Sequence, residues 1–367
     1  MPAVCRAFAI ALVAALLPTA TIVAAADVEA IRAALARGGA FLIEHEQAAD
    51  GSFSADVGPA VTALAVTALV RSGMPATAPA VQQGLAYLLS FRQPDGGLYV
   101  PGSPVANYET SIGLLALAAC NTDGSLDDEI KAAAEYVKRL QWDDGEGRGM
   151  ADPAYGGAGY GKKSRPDLSN TQFMVEALRT IGTSENDPAI QRALAFVSRT
   201  QNLPGPHNPL PFPEKNPDGG FYYTPADGGE SQAGTTPAGG LRSYGSMTYA
   251  GLKSMIYAGL TKDDPRVKAA IAWLGKHYTF AENPGMGDAG LYYYFHTAAK
   301  SLDVLGADTF TDAQGREHDW RDELSTAIMA RQREDGSWKN ANERWMEGET
   351  DLATSYALLA LSSCLPK

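Results

Sequence analysis

Cysteine is scarce. The 367 residues hold three, and Cys5 lies in the apolar amino-terminal stretch, which leaves Cys120 and Cys364. Two thiols cannot build a disulfide framework or a Cys-rich zinc site. Positive charge is also short: 30 Lys and Arg against 42 Asp and Glu give a net charge of -12, with no basic run to offset it locally. A nucleic-acid or anionic-lipid partner is therefore excluded as the main ligand. No His-x-x-x-His, Cys-x-x-Cys or Gly-x-Ser-x-Gly occurs, so nothing points to a metalloprotease, a zinc finger or a lipase.

What is present begins with a leader. Arg6, the apolar run Ala7 to Leu17 and the small residues Ala24-Ala25-Ala26 before Asp27 predict a signal peptide over 1–26 and an exported, periplasmic or extracellular chain over 27–367. An uncleaved membrane anchor is the alternative, weakened by Pro18, Thr19 and Thr21. Cys120 and Cys364 each end an apolar run of similar wording, which predicts two small buried thiols; a disulfide between them is the lesser alternative.

Glycine (38) and proline (22) are plentiful and clustered. The clusters mark a repeat. An amphipathic helix ends in Gln or Arg, a turn carries Asp-Gly, and an aromatic or Leu follows. The copies are Gln47-Ala-Ala-Asp50-Gly51-Ser-Phe53, Arg92-Gln-Pro-Asp95-Gly96-Gly-Leu98, Gln141-Trp-Asp-Asp144-Gly145, Asn216-Pro-Asp218-Gly219-Gly-Phe221 and Gln332-Arg-Glu-Asp335-Gly336-Ser-Trp338. Asp-Gly supplies the helix stop and a positive-φ residue.

A second helix follows each turn, and a threonine near its start aligns six copies: Thr62, Thr110, Thr171, Thr248, Thr297 and Thr354. The first helix of each pair mixes charge with an apolar stripe, whereas the second is nearly all apolar and must be covered on most sides. Two concentric rings of six helices meet both demands, so the expected fold is all-α, a closed (α/α)6 toroid. An open superhelix would expose the apolar helices on a concave face. The Pro/Gly-rich stretch 203–245 interrupts the repeat as an insertion, read as a lid over one mouth of the ring or a mobile decoration.

These features resemble the α/α-toroid superfamily of squalene-hopene cyclases and protein prenyltransferases. Gln332 to Trp338 matches its Gln-x-x-Asp-Gly-x-Trp turn in full, and Gly156 through Thr171 is similar to a cyclase repeat. The resemblance implies an Asp-x-Asp-Asp acid, but here the segment reads Asp167-Leu168-Ser169-Asn170-Thr171, so the acid positions hold Ser169 and Asn170. A hydroxyl does not protonate an alkene. The resemblance also implies an Asp-x-Cys and His-Thr zinc set, of which only His296-Thr297 remains, with Tyr244 and Ser246 in the other places. No metal, no cofactor and no obligate protein partner are expected.

Residues just before the threonines are expected to face the mouth. Glu109 and His296 form a candidate acid/base couple, with the alternative that Glu109 screens a helix end and His296 bonds a loop. Tyr108, Asp167, Asn170, Tyr244, Ser246 and Tyr293 are the candidate ligand contacts, and Tyr155, Tyr160, Tyr222 and Tyr223 add to the aromatic excess. Three functions fit: a hydrophobic, isoprenoid-like ligand bound in the ring, a non-catalytic scaffold, or a carbohydrate-active enzyme using carboxylates such as Glu109, Asp167, Glu349 or Asp351. A dry aromatic bowl, a filled centre and a wet cleft with two carboxylates would mark them respectively. Amino-terminal sequencing of exported protein is expected to begin at Asp27; a mass retaining residues 1–26 would refute cleavage.

Overall fold

The computed structural model describes residues 27–162 and 164–366, so the leader lies outside the described residues. Six helices form an inner ring: α2 (Pro59–Arg71), α4 (Ala106–Cys120), α6 (Leu168–Thr180), α9 (Gly245–Tyr257), α11 (Leu291–Val304) and α13 (Thr350–Cys364). Each packs on the next, and α13 returns to α2, which closes the ring. Six more lie outside: α1 (Val28–Phe41), α3 (Pro79–Leu89), α5 (Asp127–Arg139), α7 (Pro188–Arg199), α10 (Pro265–Lys276) and α12 (Trp320–Met329). A short α8 (Phe212–Lys215) sits in the insertion, and residues 310–318 form a two-stranded hairpin.

Burial follows the sequence pattern. On α7 a single stripe of Ala189, Ile190, Ala193, Phe196 and Val197 is buried, whereas α2 is buried without interruption from Pro59 to Leu69. Helix starts are set locally: Pro59, Pro79, Pro188 and Pro265 open helices where no N–H is required, and Asp187, Asp264 and Asp319 cap their first turns.

The repeated phrase is a clasp. The Gln47 side-chain amide donates to Gly51 O (3.3 Å) and to Ala80 O in the next outer helix (2.8 Å). Gln332 does the same with Gly336 O and Ala34 O, both at 2.9 Å, and so joins the last outer turn to α1. Arg92 replaces the amide with an ion pair to Glu129 of α5 at 2.5 Å.

Two copies differ from the sequence reading. Gln141 clasps Gly156 O (2.8 Å) and Ala189 O (2.9 Å), so the third turn is Gly156-Gly157-Ala158, and Asp144-Gly145 belongs to a surface excursion inserted between. In the fourth copy the clasping amide is Gln201, bonded to Gly219 O (2.9 Å) and Arg266 O (2.8 Å), while Asn216 lies beyond the intervening loop. Insertions between the glutamine and its glycine hide both copies from a fixed spacing.

Behind each clasp, the residue after the turn meets the aligned threonine. The Oγ1 atoms of Thr62, Thr110, Thr171, Thr248 and Thr354 accept from the backbone N–H of Phe53, Leu98, Ala158, Phe221 and Trp338 at 2.9–3.1 Å. Thr297 departs, bonding Tyr293 O in its own helix. Trp338 is fully buried and donates Nε1–H to Ile328 O at 2.8 Å, locking the closing junction. Cys120 and Cys364 are buried free thiols at the ends of α4 and α13, and Cys364 Sγ donates to Ala360 O at 3.4 Å.

Glycine is required at the turns for two separate reasons. Gly156 has φ +85°, and a Cβ there would lie 1.8 Å from Arg192 O; Gly182 has the same φ with nothing within 4 Å. Gly182→Ala is expected to cost about 1–2 kcal/mol from the left-handed backbone alone. Gly156→Ala adds a backbone clash and is expected to cost about 3 kcal/mol or more. Urea unfolding of the two variants reads the difference; equal losses would refute the clasp geometry.

Candidate functional site

The inner helices project side chains onto the ring axis at a helical period. Ser169, Phe173, Glu176 and Thr180 of α6 descend one face, as do Tyr293, His296, Lys300 and Asp303 of α11. Their first members line one chamber and their last members another.

The mouth chamber has a volume of about 400 Å³. Eight aromatic side chains stand in its wall: Tyr108, Tyr160, Phe173, Tyr223, Tyr244, Tyr293, Trp345 and Tyr356. Several interlock by edges: Tyr108 meets Phe173 at 5.8 Å and 76°, and Tyr293 meets Tyr356 at 5.9 Å and 70°. Their hydroxyls satisfy one another or nearby polar groups: Ser169 Oγ and Tyr293 Oη lie 3.0 Å apart, and Gln172 Nε2 donates to Tyr293 Oη at 3.3 Å. The surface offered to a ligand is thus largely apolar.

Glu347 is the sole carboxyl among the chamber's wall residues, and it is committed. Oε1 accepts from Tyr293 N (2.8 Å), and Oε2 from Tyr292 N (3.1 Å) and Asn340 Nδ2 (2.7 Å). Burial raises its pKa despite these donors. Its structural work is to hold the loop 344–347 against the start of α11. There Trp345 (φ 56°) and Met346 (φ 64°) occupy left-handed backbone, a strain that three hydrogen bonds at Glu347 can offset. Arg344 stacks over Trp345 at 4.2 Å and donates to Gln232 Oε1 at 2.6 Å, tying this loop to the insertion.

The sequence candidates separate into three groups. Tyr108, Tyr244, Ser246 and Tyr293 line the mouth chamber. Asp167 and Asn170 sit behind its wall: Asp167 caps α6, accepting from Asn170 N and Nδ2, each at 2.8 Å. Burial pushes the Asp167 carboxyl up to about 6, against the opposing pull of Asn170 and Tyr223.

Glu109 and His296 are not brought together as a couple. Glu109 lines neither chamber; it is buried in the first turn of α4 beneath Gly58, where a Cβ would lie 2.5 Å from its Oε1. Burial raises its pKa, opposed by Ser103 and the backbone at Val100. His296 lines the far chamber, its ring parallel to Phe173 at 6.4 Å and tilted against Tyr356 at 5.6 Å. Burial lowers its pKa to about 4, so the imidazole is neutral at pH 7. An acid from repeat two and a base from repeat five face different surroundings because Glu109 lies in the first turn of α4 whereas His296 lies two residues deeper along α11.

Phe173, Tyr356 and Glu347 escaped the sequence reading. The first two were legible from period: each lies four residues beyond a mouth-facing position, Ser169 and Leu352. Glu347 lies in a loop and carried no such signal. The insertion supplies Tyr223, Gln232 and Tyr244 to the chamber, and so forms part of its wall.

Among the described residues no group of three His, Cys, Asp or Glu side chains is placed to hold a metal ion, and no helix is long and apolar enough to cross a membrane.

A closed ring of six helical hairpins around an aromatic axial chamber defines an α/α toroid. The chain resembles the squalene cyclase/prenyltransferase-like toroid superfamily: the family described as squalene-hopene cyclase C-terminal domain matches residues 42–221. The apo type II terpene cyclase MstE from Scytonema shares the fold, with a TM-score of 0.55 at 12% identity over 91% of this chain and 98% of its own. A variant of that cyclase, in complex with its substrate geranylgeranyl dihydroxybenzoate, aligns at 13% identity over 92% and 98%, with a TM-score of 0.33. No curated protein matches the chain in sequence.

Asp167 and His296 oppose each other in acid. A neutral buried His loses stability as pH falls from 6.5 to about 4, since the unfolded chain takes up the proton first. A raised Asp gains stability as pH falls from about 6 to 3.8, since the folded chain does. The Asp167→Asn variant is therefore expected to lose stability relative to wild type between pH 6 and 4, and His296→Phe to gain it. Denaturant midpoints across that range check the pair; shifts of one sign in both would refute the assignment.

Proposed function

We propose that the protein binds a hydrophobic, isoprenoid-like ligand in the mouth chamber. The observation that carries this is the wall itself: eight aromatic side chains around about 400 Å³, with one carboxyl whose oxygens are taken. That volume falls in the range of about 300–1,000 Å³ common to small-molecule sites. Apolar burial supplies affinity at about 25 cal/mol per Å², and aromatic faces suit a flat, unsaturated chain. The shared fold of a terpene cyclase supports the same ligand class.

A carbohydrate-active reading has less support. It calls for two carboxylates flanking a wet cleft. Glu109, Asp167, Glu349 and Asp351 do not line the chamber, and Asp351 is held by Ser54 Oγ at 2.7 Å. A scaffold with a filled centre is not favoured either, since the axis is open at the mouth. Whether the bound ligand reacts turns on a proton source, and the chamber presents Ser169 where the cyclase acid would stand. Binding is therefore the proposed activity, in a chain exported by its leader.

Native mass spectrometry of the purified protein, after incubation with prenyl alcohols of increasing length, is expected to show stoichiometric adducts. Ala60→Trp, which drives an indole into the chamber, is expected to reduce adduct formation at least tenfold with an unchanged circular dichroism spectrum. No adduct in the wild type at any length, or adducts undiminished in Ala60→Trp, would overturn the reading.

A further inference from the structure

The axis does not end at the mouth chamber. On the other side of Phe173, whose ring borders both spaces, lies a second chamber of about 240 Å³ built by the carboxyl-terminal halves of the inner helices. Beside Leu64, Ile112, Leu115 and Leu359, its wall carries the positive charge that the mouth chamber lacks. Arg71, Glu176, His296, Lys300 and Asp303 line it, with the Thr180 hydroxyl.

The charges there do not cancel one for one. Glu176 is paired with the buried ammonium of Lys253, and burial, which would raise its carboxyl, is outweighed by Lys253, Lys300 and His296, which hold it down at about 2. Asp303 is met by Arg321 at 3.7 Å. Both carboxylates thus have a cation drawn from outside the wall. Arg71 and Lys300 make no ion pair or hydrogen bond with any described residue, although both border the cavity. Among the described residues a partner is also missing at His296, whose Nδ1 is buried without a hydrogen bond. Two unpaired cations, a neutral imidazole with an unused nitrogen and a hydroxyl converge on one small space. That space opens to solvent at Arg71, which is exposed.

The wall also carries Leu64, Ile112, Leu115, Phe173 and Leu359, which would accommodate carbon, but an apolar ligand would leave Arg71 and Lys300 unanswered and a cation would meet their charge. An oxyanion satisfies all four groups: charge for the guanidinium and ammonium, acceptors for the imidazole N–H and the threonine. The simpler account is that Arg71 and Lys300 screen the negative ends of α2 and α11. Screening does not explain the unpartnered imidazole nitrogen or the cavity left open between them.

We propose that the far chamber is a second ligand site, for a small oxyanion of phosphate or carboxylate type held by Arg71 and Lys300, with His296 and Thr180 completing its hydrogen bonds. The site is independent of the mouth chamber's ligand. In a chain of net charge -12, general attraction for anions is absent, so saturable binding identifies a specific site.

The test is a titration of the full protein with inorganic phosphate, and separately with succinate, at constant ionic strength in chloride. Binding is followed by isothermal calorimetry and by the ¹⁵N signals of His296. A saturable isotherm with movement of the His296 nitrogens is expected for at least one of the two anions, and the anion that binds tells phosphate from carboxylate. Arg71→Gln and Lys300→Gln are each expected to weaken binding at least tenfold, while Lys268→Gln, the same charge change on the exposed face of α10, leaves it unaltered. All three variants keep the wild-type circular dichroism spectrum if the cations serve the ligand. Linear, unsaturable titration with both anions, unmoved His296 signals, or equal weakening by Lys268→Gln would overturn the proposal.

Discussion

Everything in this protein rests on the clasp between a glutamine amide and the turn that follows it. An outer helix ends, and its last glutamine bonds both the turn glycine and a carbonyl of the next outer helix. One side chain therefore sets the angle of a hairpin and its spacing from its neighbour. Glutamine makes this clasp at four junctions and Arg92 takes its place at another, and Gln332 completes the circuit by reaching Ala34 of α1. The glycine is obligatory because the turn backbone presses directly on the neighbouring helix, with no room for a Cβ.

Closure has a chemical consequence. Six apolar helices brought side by side share one axis, and whatever they carry at a helical period is presented to it. Near the amino-terminal ends that means tyrosines, phenylalanine and Trp345 of the loop; near the carboxyl-terminal ends it means Arg71, Glu176, His296, Lys300 and Asp303. The toroid is a single fold with two unlike ends, divided at Phe173. The positions where the resemblance implies a cyclase acid and zinc ligands hold Ser169, Asn170, Tyr244 and Ser246.

Buried ionisable groups show how the ring manages polarity without water. Glu176 and Lys253 stand as a pair in the interior, where removing one partner would leave the other uncompensated, at a cost of about 3–5 kcal/mol. Asp167 is spent on the start of α6 and Glu347 on the start of α11, where backbone N–H groups need acceptors. Carboxylates that look catalytic in a sequence are here occupied with helix ends.

The sequence by itself determined the six hairpins, the closed ring and the division into amphipathic outer and apolar inner helices, because these depend on local period and on a repeated turn. It placed Tyr108, Tyr244, Ser246 and Tyr293 near the mouth through their offset from the aligned threonines. Tertiary structure decided the rest. The third and fourth clasps are broken by insertions, so only the folded chain pairs Gln141 with Gly156 and Gln201 with Gly219. Glu109 and His296 share an offset from threonine yet face different surroundings, since Glu109 is the fourth residue of α4 and His296 the sixth of α11, and two residues on a helix turn a side chain by about 200°. Whether a residue lines a cavity, caps a helix or fills a wall is a matter of direction and neighbours, and those exist only once the ring has closed.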